Sequence, residues 1–344
     1  MNRIAFPGLG LEFNINPTAF TVFGIEIQWY GIILSLGICA AFLLFYANAT
    51  KKENIDSDSV LNITLMVVPI SIIGARFFYV VTEWDHYKNK SFLDIINIRA
   101  GGIAIYGAII FGLITVLIYN WVKKTNPLNM MDAMAPALMV GQTIGRWGNF
   151  VNAEAYGWTE NIDNLPWRME IDNVVRKMFI DGERVSRSFG PGCVHPTFLY
   201  ESLWNFLGLA IILLVLYRKG KKKFDGEIAC AYLIWYGLGR AIIETVRTDS
   251  LYIVGTLKFS VFVGIVSAIS GVILALILYF RNKSLKNELS DYKPAFESVK
   301  ISVAEDNEDL EAEDENQSLD NIEEDAEILA QQDLLDGDAS DIEE

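Results

Sequence analysis

Residues 23–47 read FGIEIQWYGIILSLGICAAFLLFYA, and residues 48–52, NATKK, follow them. A helix that crosses the hydrocarbon core of a bilayer needs about 20 mainly apolar residues. This stretch is long enough, and it ends in two lysines. The residues before it lack the basic start, short apolar core and small-residue cleavage site of a secretory signal. We therefore predict a retained transmembrane helix.

Six further apolar stretches follow, at about 60–82, 103–122, 131–150, 197–217, 228–246 and 257–280. Of all residues, 52% are apolar or aromatic, which is typical of a membrane protein. Polar groups interrupt three of the stretches and lower their hydropathy: Arg76 in the second, Gln142 and Arg146 in the fourth, and Arg240 and Glu244 in the sixth. The pattern predicts an all-α polytopic membrane protein with about seven transmembrane helices.

Basic residues follow every odd-numbered stretch. They include Lys51, Lys52, Lys123, Lys124, Arg218, Lys219, Lys221, Lys222, Lys223, Arg281, Lys283 and Lys286. Because cytoplasmic loops carry an excess of Lys and Arg, the N-terminus is expected outside and the C-terminus in the cytoplasm. Residues 151–196, the longest segment between two stretches, then lie outside, and their mixed charges predict a small folded head.

The net charge of −15 comes from the C-terminal tail. Residues 301–344 contain 19 Asp and Glu and no Lys or Arg, whereas the rest of the chain has a slight excess of basic side chains. Such a composition cannot bury enough apolar surface to order itself. We therefore predict a seven-span domain over residues 1–283 and a disordered acidic cytoplasmic tail over residues 284–344.

The three cysteines, Cys39, Cys193 and Cys230, form neither an even disulfide framework nor a metal-ligand spacing. No nucleotide-binding loop is visible in the sequence. We expect no metal, no cofactor and no nucleic-acid partner.

The sixth stretch carries a polar stripe. Tyr236, Arg240, Glu244 and Arg247 recur at a spacing that places them on one face of a helix. A charge at mid-bilayer costs roughly 2.5–3.5 kcal/mol on insertion scales, so it needs a partner or a polar cavity. The planar fork of an Arg suits phosphate oxygens. The alternative is an internal Arg240–Glu244 pair that holds helices together, and both interpretations can apply at once.

The fourth stretch ends in a dense polar series over residues 145–157, GRWGNFVNAEAYG. Gly141 and Gly145 form a small-residue face for close helix packing. After Arg146, the amides of Asn149 and Asn152 and the carboxylate of Glu154 lie where a lipid headgroup would lie. A simple helix end needs one capping group, so this series indicates a binding site. Arg76 in the second stretch suggests that several spans share one polar cavity.

The fifth stretch opens with residues 195–201, HPTFLYE, which include Tyr200 and Glu201. His195 precedes a proline, which suits entry into a helix. Cys193 lies two residues away, so a Cys–His nucleophile is an alternative, although it requires a lowered thiol pKa. The other histidine, His86, is expected at the surface. Tyr30 opens the first stretch, and Tyr106 follows Gly101 and Gly102 at the start of the third.

Taken together, these segments resemble the prolipoprotein diacylglyceryl transferase family. Residues 145–154, GRWGNFVNAE, resemble the family signature, and residues 195–201, 236–249 and 29–31 match in the family's order. The resemblance covers residues 10–283 and leaves out the acidic tail. It implies a transferase of the bacterial inner membrane whose active site faces the extracytoplasmic side.

The resemblance also implies the reaction and the partners. The cysteine thiol of a prolipoprotein lipobox attacks the diacylglyceryl group of phosphatidylglycerol, a membrane lipid, and glycerol phosphate leaves. The residues that it implies as catalytic are Arg146, Arg240, Glu244, Tyr106 and His195. Those that it implies as phosphatidylglycerol-binding are Arg146, Asn149, Asn152, Glu154, Tyr30, Tyr236, Arg247, Tyr200 and Glu201. Many relatives carry a His in place of Tyr106, which leaves the base that activates the thiol open.

Two other classes of protein remain as alternatives at this point. A secondary transporter for an anionic substrate predicts charges along a path to the cytoplasmic face, whereas here they cluster near the outer ends of the stretches. A scaffold that recruits partners through its acidic tail leaves the intramembrane arginines without a role.

Overall fold

The computed structural model describes residues 1–98, 101–180, 183–217, 222–248 and 258–288, with the backbone alone at 176–180, 183–185 and 286–288. Its strands are β1 (Asn2–Phe6), β2 (Leu11–Ile15), β3 (Thr18–Val22), β4 (Ile25–Gln28), β5 (Met169–Ile171), β6 (Val175–Ile180), β7 (Glu183–Ser188) and β8 (Gly192–Val194). Its helices are α1 (Trp29–Lys52), α2 (Ser57–Thr82), α3 (Trp84–Tyr87), α4 (Phe92–Ile96), α5 (Ile105–Lys123), α6 (Pro127–Asn152), α7 (Thr197–Ile211), α8 (Glu227–Ile243) and α9 (Phe259–Glu288). Residues 284–288 of the predicted disordered tail are helical, because α9 continues to Glu288; the rest of that tail lies outside the described residues.

Five of the described helices are long and apolar enough to cross a membrane: α1, α2, α5, α7 with its π-helical extension to Tyr217, and α9. The protein is therefore a mostly helical polytopic membrane protein. The other two predicted spans also form helices, but α6 carries several polar residues and α8 has only 17 residues. The lower hydropathy expected for the fourth stretch is thus found, the second is not lower, and the sixth falls short by its length.

Three helix ends differ from the predicted spans for local reasons. The first helix begins at Trp29 and not at 23, because residues 25–28 pair with β3. The fourth is longer than predicted, because Asn126 caps its start by accepting the Leu128 N–H at 3.0 Å. It ends where Ala153 adopts a left-handed conformation with φ 51°.

The all-α prediction is incomplete, because part of the predicted head folds with the N-terminus into a sheet. Its strand order is β2-β1-β5-β8, and all neighbours are antiparallel. Ile4 lies opposite Ile171 in this sheet. A separate apolar core stabilises it, which contains Ile4, Phe6, Tyr156, Met169, Ile171, Val174, Val194 and Phe198. Strands this short carry too little alternation to be recognised in the sequence.

The helices pack mainly in the pairs α1–α6, α2–α5, α6–α7 and α8–α9. Small residues permit the first contact: an added Cβ at Gly37 would lie 3.4 Å from the Gly141 carbonyl oxygen. The predicted small-residue face is thus confirmed at Gly141 but not at Gly145. A Cβ at Gly145 would meet nothing within 4 Å, so Gly145 faces open space.

The other end of the bundle is held by the Lys222 cluster, which consists of Lys222, Glu53, Asp132 and Asp225. Lys222 Nζ lies 2.5 Å from Glu53 Oε2, 2.8 Å from Asp132 Oδ2 and 3.7 Å from Asp225 Oδ1. The side chain of Lys222 is fully buried. It therefore joins the end of α1 to the start of α6 and to the segment before α8, and it is not a solvent-exposed basic flank as the sequence suggested.

Candidate active site

At the C-terminal end of α6 the chain turns back on itself and places Glu154 over the last helical turn. The N–H of Ala153 donates to the carbonyls of Asn149 and Phe150, and the N–H of Glu154 donates to the carbonyl of Asn149 at 3.0 Å. The amides of Asn149 and Asn152 then donate to Glu154 Oε1 at 3.1 and 3.2 Å. The polar series after Arg146 thus forms one connected group.

Glu201, in the first turns of α7, joins three arginines from two other parts of the chain. Arg146 Nη2 lies 2.5 Å from Glu201 Oε2, and Arg240 Nη1 lies 3.4 Å from the same oxygen. Arg247 Nη1 lies 3.0 Å from Glu201 Oε1. The sequence predicted that these four residues contribute to a site, but their spacing gave no indication that Glu201 is the common partner.

Glu244 adds a second carboxylate to this group. Its Oε2 lies 3.0 Å from Arg240 Nη2 and 3.7 Å from Arg247 Nε. Arg146, Arg240, Arg247, Glu201 and Glu244, here called the arginine cluster, sum to one net positive charge. Buried charges are stable only when paired, so this sum favours an anionic ligand.

The polar residues predicted for the sixth span do lie close together, but they do not all lie on one face of a helix. Helix α8 ends at Ile243, so helical spacing places Tyr236 and Arg240 but not Arg247. A turn then follows, in which the N–H of Arg247 donates to the carbonyl of Glu244 at 3.2 Å. This turn, and not the helix, brings Arg247 back to Glu201.

Three tyrosines lie at the cluster. Tyr30 is close enough to Arg146 and Glu154 to interact with both electrostatically. The Tyr106 hydroxyl hydrogen-bonds to Ser260, and it is within electrostatic range of Arg240, Glu244 and Tyr236. The structure therefore brings Tyr106 to the arginines, as the sequence predicted for a member of the site.

His195 lies in the head. Its Nε2 is 2.9 Å from Thr159 Oγ1 and its Nδ1 is 3.2 Å from the Tyr200 hydroxyl, which also accepts from Trp167 Nε1 at 2.8 Å. Burial lowers the pKa of His195, so the ring stays neutral at neutral pH. Among the contacts described, none joins His195 to the arginine cluster.

The Cys–His alternative gains no support. Both ring nitrogens of His195 face other residues, and Cys193 interacts instead with Asp163 and Arg168. Burial, followed by the hydrogen bond to Asp163, raises the pKa of the Cys193 thiol, which is the wrong direction for a nucleophile.

Arg76 corrects the expectation of one cavity shared by all the intramembrane arginines. Its guanidinium donates to the carbonyls of Asp94, Ile95, Gly101 and Gly102 at 2.7–2.8 Å. These contacts tie the segment between α2 and α5 to the end of α2. Arg76 is therefore satisfied by backbone oxygens in a structural role.

A cavity of about 530 Å³ opens beside the cluster on the side of the head. Asn149, Glu154, Tyr156, Arg247 and Thr248 contribute to its wall. Its volume is within the range of small-molecule sites, about 300–1,000 Å³. Glu154 and Arg247 thus border one space, and Arg247 is the member of the arginine cluster that lines it.

Comparison with known proteins places this site in a family. The model of the family described as prolipoprotein diacylglyceryl transferase matches residues 17–277. The chain belongs to the prolipoprotein diacylglyceryl transferase family. It is 44% identical over 271 residues to the phosphatidylglycerol–prolipoprotein diacylglyceryl transferase of Streptococcus agalactiae, covering 78% of this chain and 97% of the relative. The identically named Finegoldia magna protein is 45% identical over 256 residues, covering 74% and 93%.

Membership of the transferase family confirms the resemblance seen in the sequence, and the comparisons give no support to a transporter. The Lysinibacillus sphaericus transferase, 42% identical over 273 residues, likewise covers 79% of this chain and 95% of its own. Every residue of the arginine cluster lies within the matched range. The acidic residues 301–344 lie beyond it.

One residue that shapes the candidate site was not predicted from the sequence. Lys258 Nζ donates to the carbonyls of Glu244, Thr245 and Arg247 at 2.9, 2.8 and 2.6 Å. It thereby fixes the turn that returns Arg247 to the cluster. The only signal in the sequence was a single lysine just before the seventh apolar stretch, which looked like an ordinary flanking charge.

Proposed function

We propose that this chain moves the diacylglyceryl group of phosphatidylglycerol onto the lipobox cysteine thiol of a prolipoprotein, the first step of bacterial lipoprotein maturation. The relatives that it matches are named for phosphatidylglycerol and prolipoprotein. The observation that carries the proposal within this chain is the arginine cluster, whose net positive charge suits a phosphodiester. The chain is a transferase that acts on a membrane lipid.

The reaction exchanges one bond to carbon for another. The thiolate sulfur attacks the terminal glycerol carbon of the diacylglyceryl group, and a carbon–sulfur bond forms. The bond from that carbon to the phosphate oxygen breaks, and the oxygen keeps the electron pair as glycerol phosphate leaves. The phosphate gains negative charge, from one to nearly two at neutral pH. Cations fixed at this phosphate therefore bind the transition state more tightly than the substrate.

Arg146 and Arg240 are the residues that we assign to the phosphate. Each guanidinium has five N–H donors, and Glu201 occupies only part of either fork. Glu201 and Glu244 fix the orientation of the forks, so little reorganisation is needed as charge develops. Arg247 holds the second oxygen of Glu201.

The remaining polar side chains surround the headgroup in this proposal. Glu154, held by Asn149 and Asn152, and the nearby Tyr30 offer partners for the headgroup hydroxyls. Tyr106 lies within electrostatic range of Arg240 and Tyr236. His195 and Tyr200 hold each other in the head, so we assign them to positioning and not to proton transfer.

The thiol needs no dedicated base in this arrangement. A thiol has a pKa near 8.5, and adjacent cations lower it. The net positive charge of the arginine cluster therefore favours the thiolate of a cysteine that enters the site. Its proton is released to water on the side of the head.

We also propose seven spans with the head outside the bacterial plasma membrane. Three observations support this topology. Helices α1, α5 and α9 all carry lysines or arginines in or just beyond their last turns. The Lys222 cluster joins the end of α1 to the start of α6, and the arginine cluster lies at the other end of α6. The diacylglyceryl chains then reach the site from the outer leaflet.

The decisive experiment incubates the purified chain with phosphatidylglycerol vesicles and a lipobox peptide. Mass spectrometry should show one diacylglyceryl group on the peptide and free glycerol phosphate in equal amount. A peptide with Ser in place of Cys should stay unmodified. Protein that is folded and inserted but yields no thioether would refute the proposal, and so would modification of the Ser peptide.

A further inference from the structure

The hairpin of β3 and β4 ends in a turn that is unfavourable in water. Phe23 and Gly24 both have positive φ, 48° and 77°, as a type I′ turn requires. Asn, Asp or Gly ordinarily occupies the first of these positions, because a bulky side chain is strained there. The Phe23 side chain is also fully exposed. A strained backbone and an exposed ring both oppose folding in water, so a further contact must compensate for them.

The two faces of this hairpin differ sharply. The cross-strand pairs Phe20–Ile27 and Val22–Ile25 lie on one face, and the Thr21–Glu26 pair lies on the other. Phe20, Val22 and Ile25 are 53%, 42% and 46% exposed.

The polar face is internally hydrogen-bonded. Gln28 Nε2 donates to Thr18 Oγ1 at 3.1 Å and to Glu26 Oε2 at 3.3 Å. The polar face thus satisfies its own side chains, whereas the apolar face leaves Phe20, Val22 and Ile25 about half exposed.

The hairpin is fixed to the start of a transmembrane helix. Helix α1 begins at Trp29, directly after β4, and the N–H of Trp29 donates to the carbonyl of Pro17 at 2.9 Å. No linker separates the two, so the hairpin cannot move far from the membrane surface. Leu34 and Leu36 on α1 are also exposed, as lipid-facing residues are. The apolar face of the hairpin thus directly precedes, in sequence, the bilayer-facing surface of α1.

We propose that the apolar face and tip of this hairpin insert into the leaflet that surrounds the start of α1, with Phe23 at the boundary between headgroups and acyl chains. The partner is the lipid surface itself. Aromatic side chains favour this boundary, and a paired hairpin can enter it because its ladder satisfies the backbone. An isolated two-stranded hairpin is marginal in water, whereas the lipid surface would stabilise it.

Insertion also fixes the depth of Tyr30. This residue lies one position beyond Trp29 and interacts with Arg146 and Glu154. Its ring packs so closely on α6 that a Cβ at Gly148 would lie 2.7 Å from it. The hairpin thereby supports one wall of the site, while the lipid contact itself does not depend on the proposed reaction.

Spin labels can test this contact in the full chain without a lipobox peptide. Phe23→Cys, Val22→Cys and, as the matched control on the polar face, Thr21→Cys are made after Cys39→Ala, Cys193→Ala and Cys230→Ala. In vesicles of phosphatidylcholine and phosphatidylglycerol, labels at 22 and 23 should collide several-fold more often with oxygen than with a water-soluble nickel complex. The label at 21 should show the reverse. Nickel collisions that dominate at all three positions would overturn the proposal.

The occupant can be identified in the same samples. Adding a lipobox peptide should leave the labels at 22 and 23 unchanged, and immobilisation only after the peptide is added would mean that the precursor occupies this face. If the cysteine-free background fails to fold, p-benzoylphenylalanine at position 23 of the native chain replaces the labels. Illumination should then give lipid adducts, whereas their absence or adducts with the peptide alone would refute the proposal.

Discussion

Arg146 and Arg240 reach the same oxygen of Glu201 from two different helices, and Arg240 also pairs with Glu244. Each guanidinium has five N–H donors, more than these carboxylate contacts use. If the remaining donors hold the phosphate, Arg146→Ala and Arg240→Ala should each lower transfer by at least about a hundredfold, the usual cost of one lost transition-state donor. Arg240→Lys should also be severely impaired, because an ammonium cannot make two aligned contacts. Thioether formation in membranes with equal amounts of inserted protein measures the effect.

A purely structural role for Arg240 makes a different forecast. Arg240→Leu combined with Glu244→Leu removes one charge of each sign and leaves the net charge of the cluster unchanged. Apolar replacement of a buried pair is often tolerated for folding. Substantial turnover by this double variant would therefore refute the catalytic assignment of Arg240.

Tyr106 can be tested in the same way, since it lies near Arg240 and hydrogen-bonds to Ser260. If the phenol only positions the headgroup, Tyr106→Phe removes one neutral hydrogen bond of about 0.5–1.5 kcal/mol, or roughly a two- to twelvefold loss of rate. Tyr106→His, which introduces the residue of many relatives, should retain activity. A loss beyond about a thousandfold in Tyr106→Phe would instead indicate proton transfer through the phenol.

The residues of the site could be predicted from the sequence because charges are rare and costly in apolar stretches. Their connections could not be predicted. Glu201 meets arginines that lie 39, 46 and 55 positions away, and no local spacing encodes such contacts. Arg76 showed the same rarity, but backbone carbonyls satisfy it, so charge in a span alone does not distinguish structural from functional residues.

Helices α7 and α8 are joined by two tryptophans that hydrogen-bond reciprocally. Trp204 Nε1 donates to the carbonyl of Trp235 and Trp235 Nε1 donates to the carbonyl of Trp204, both at 2.9 Å. The rings stack with centroids 4.7 Å apart. Glu201 lies one turn from Trp204, so this contact sets the register between Glu201 and Arg240.

Glycines make room for these rings, which gives a stability prediction. A Cβ at Gly208 would lie 2.3 Å from Trp235 Nε1, and one at Gly239 would lie 2.2 Å from Trp204 Nε1. Gly208→Ala and Gly239→Ala should each destabilise the protein by about 1–3 kcal/mol, the usual cost of overpacking. Gly145→Ala is the matched control, because a Cβ there meets open space. Thermal unfolding in detergent should separate the pair from the control, and three equal shifts would contradict the role of the tryptophans.

The Lys222 cluster predicts a pH-dependent stability. Burial raises the pKa of Glu53 to about 8, although the nearby Lys222 opposes the shift. The unfolded carboxyl titrates near 4.5, so between these values the folded chain keeps a proton that the unfolded chain has released. The contribution of Glu53 to stability is therefore complete below about pH 4.5 and falls as pH rises towards 8, by at most about 1.4 kcal/mol per pH unit.

Comparison with Glu53→Gln isolates this effect, because the amide keeps the shape of the side chain but does not titrate. Between pH 6 and 8.5 the wild type should lose stability relative to Glu53→Gln, and other titrating groups cancel in the difference. Parallel pH profiles would show that Glu53 is ionised throughout this range in the folded protein.

Long helices could be predicted because their apolar stretches are continuous, although the structure moves the start of the first from 23 to Trp29 and the end of the last from 280 to Glu288. The strands were missed because their pairing is non-local: β1 at the N-terminus pairs with β5, at least 165 positions away along the chain. Residues 25–28 were predicted as the start of the first transmembrane helix, but they form a strand that pairs with β3. Pairing partners, and not composition, decide the structure of such short segments.

At the scale of the whole molecule, the two charged groups lie at opposite ends of α6. Arg146 belongs to the arginine cluster near the end of this helix, and Asp132 belongs to the Lys222 cluster near its start. The sequence predicted a cluster of polar residues near the outer ends of the spans, but not the Lys222 cluster. It could not show that Lys222 is buried, because a lysine among four other basic residues looks like an ordinary cytoplasmic flank of a transmembrane helix.

Reporter fusions can test the topology, and the structure indicates where a reporter can be placed without breaking a contact. Lys124 ends α5 in a left-handed conformation and is exposed, so a reporter fused after it leaves α1, α2 and α5 intact. A fusion at Lys222 would instead break its contacts with Glu53 and Asp132. A reporter that is active only in the cytoplasm should be active after Lys124 and silent when it is inserted near Asp172, in the exposed turn between β5 and β6. With equal amounts of both fusions in the membrane, the reverse pattern would place the arginine cluster on the cytoplasmic side, where an outer-leaflet lipid and an exported precursor cannot meet it.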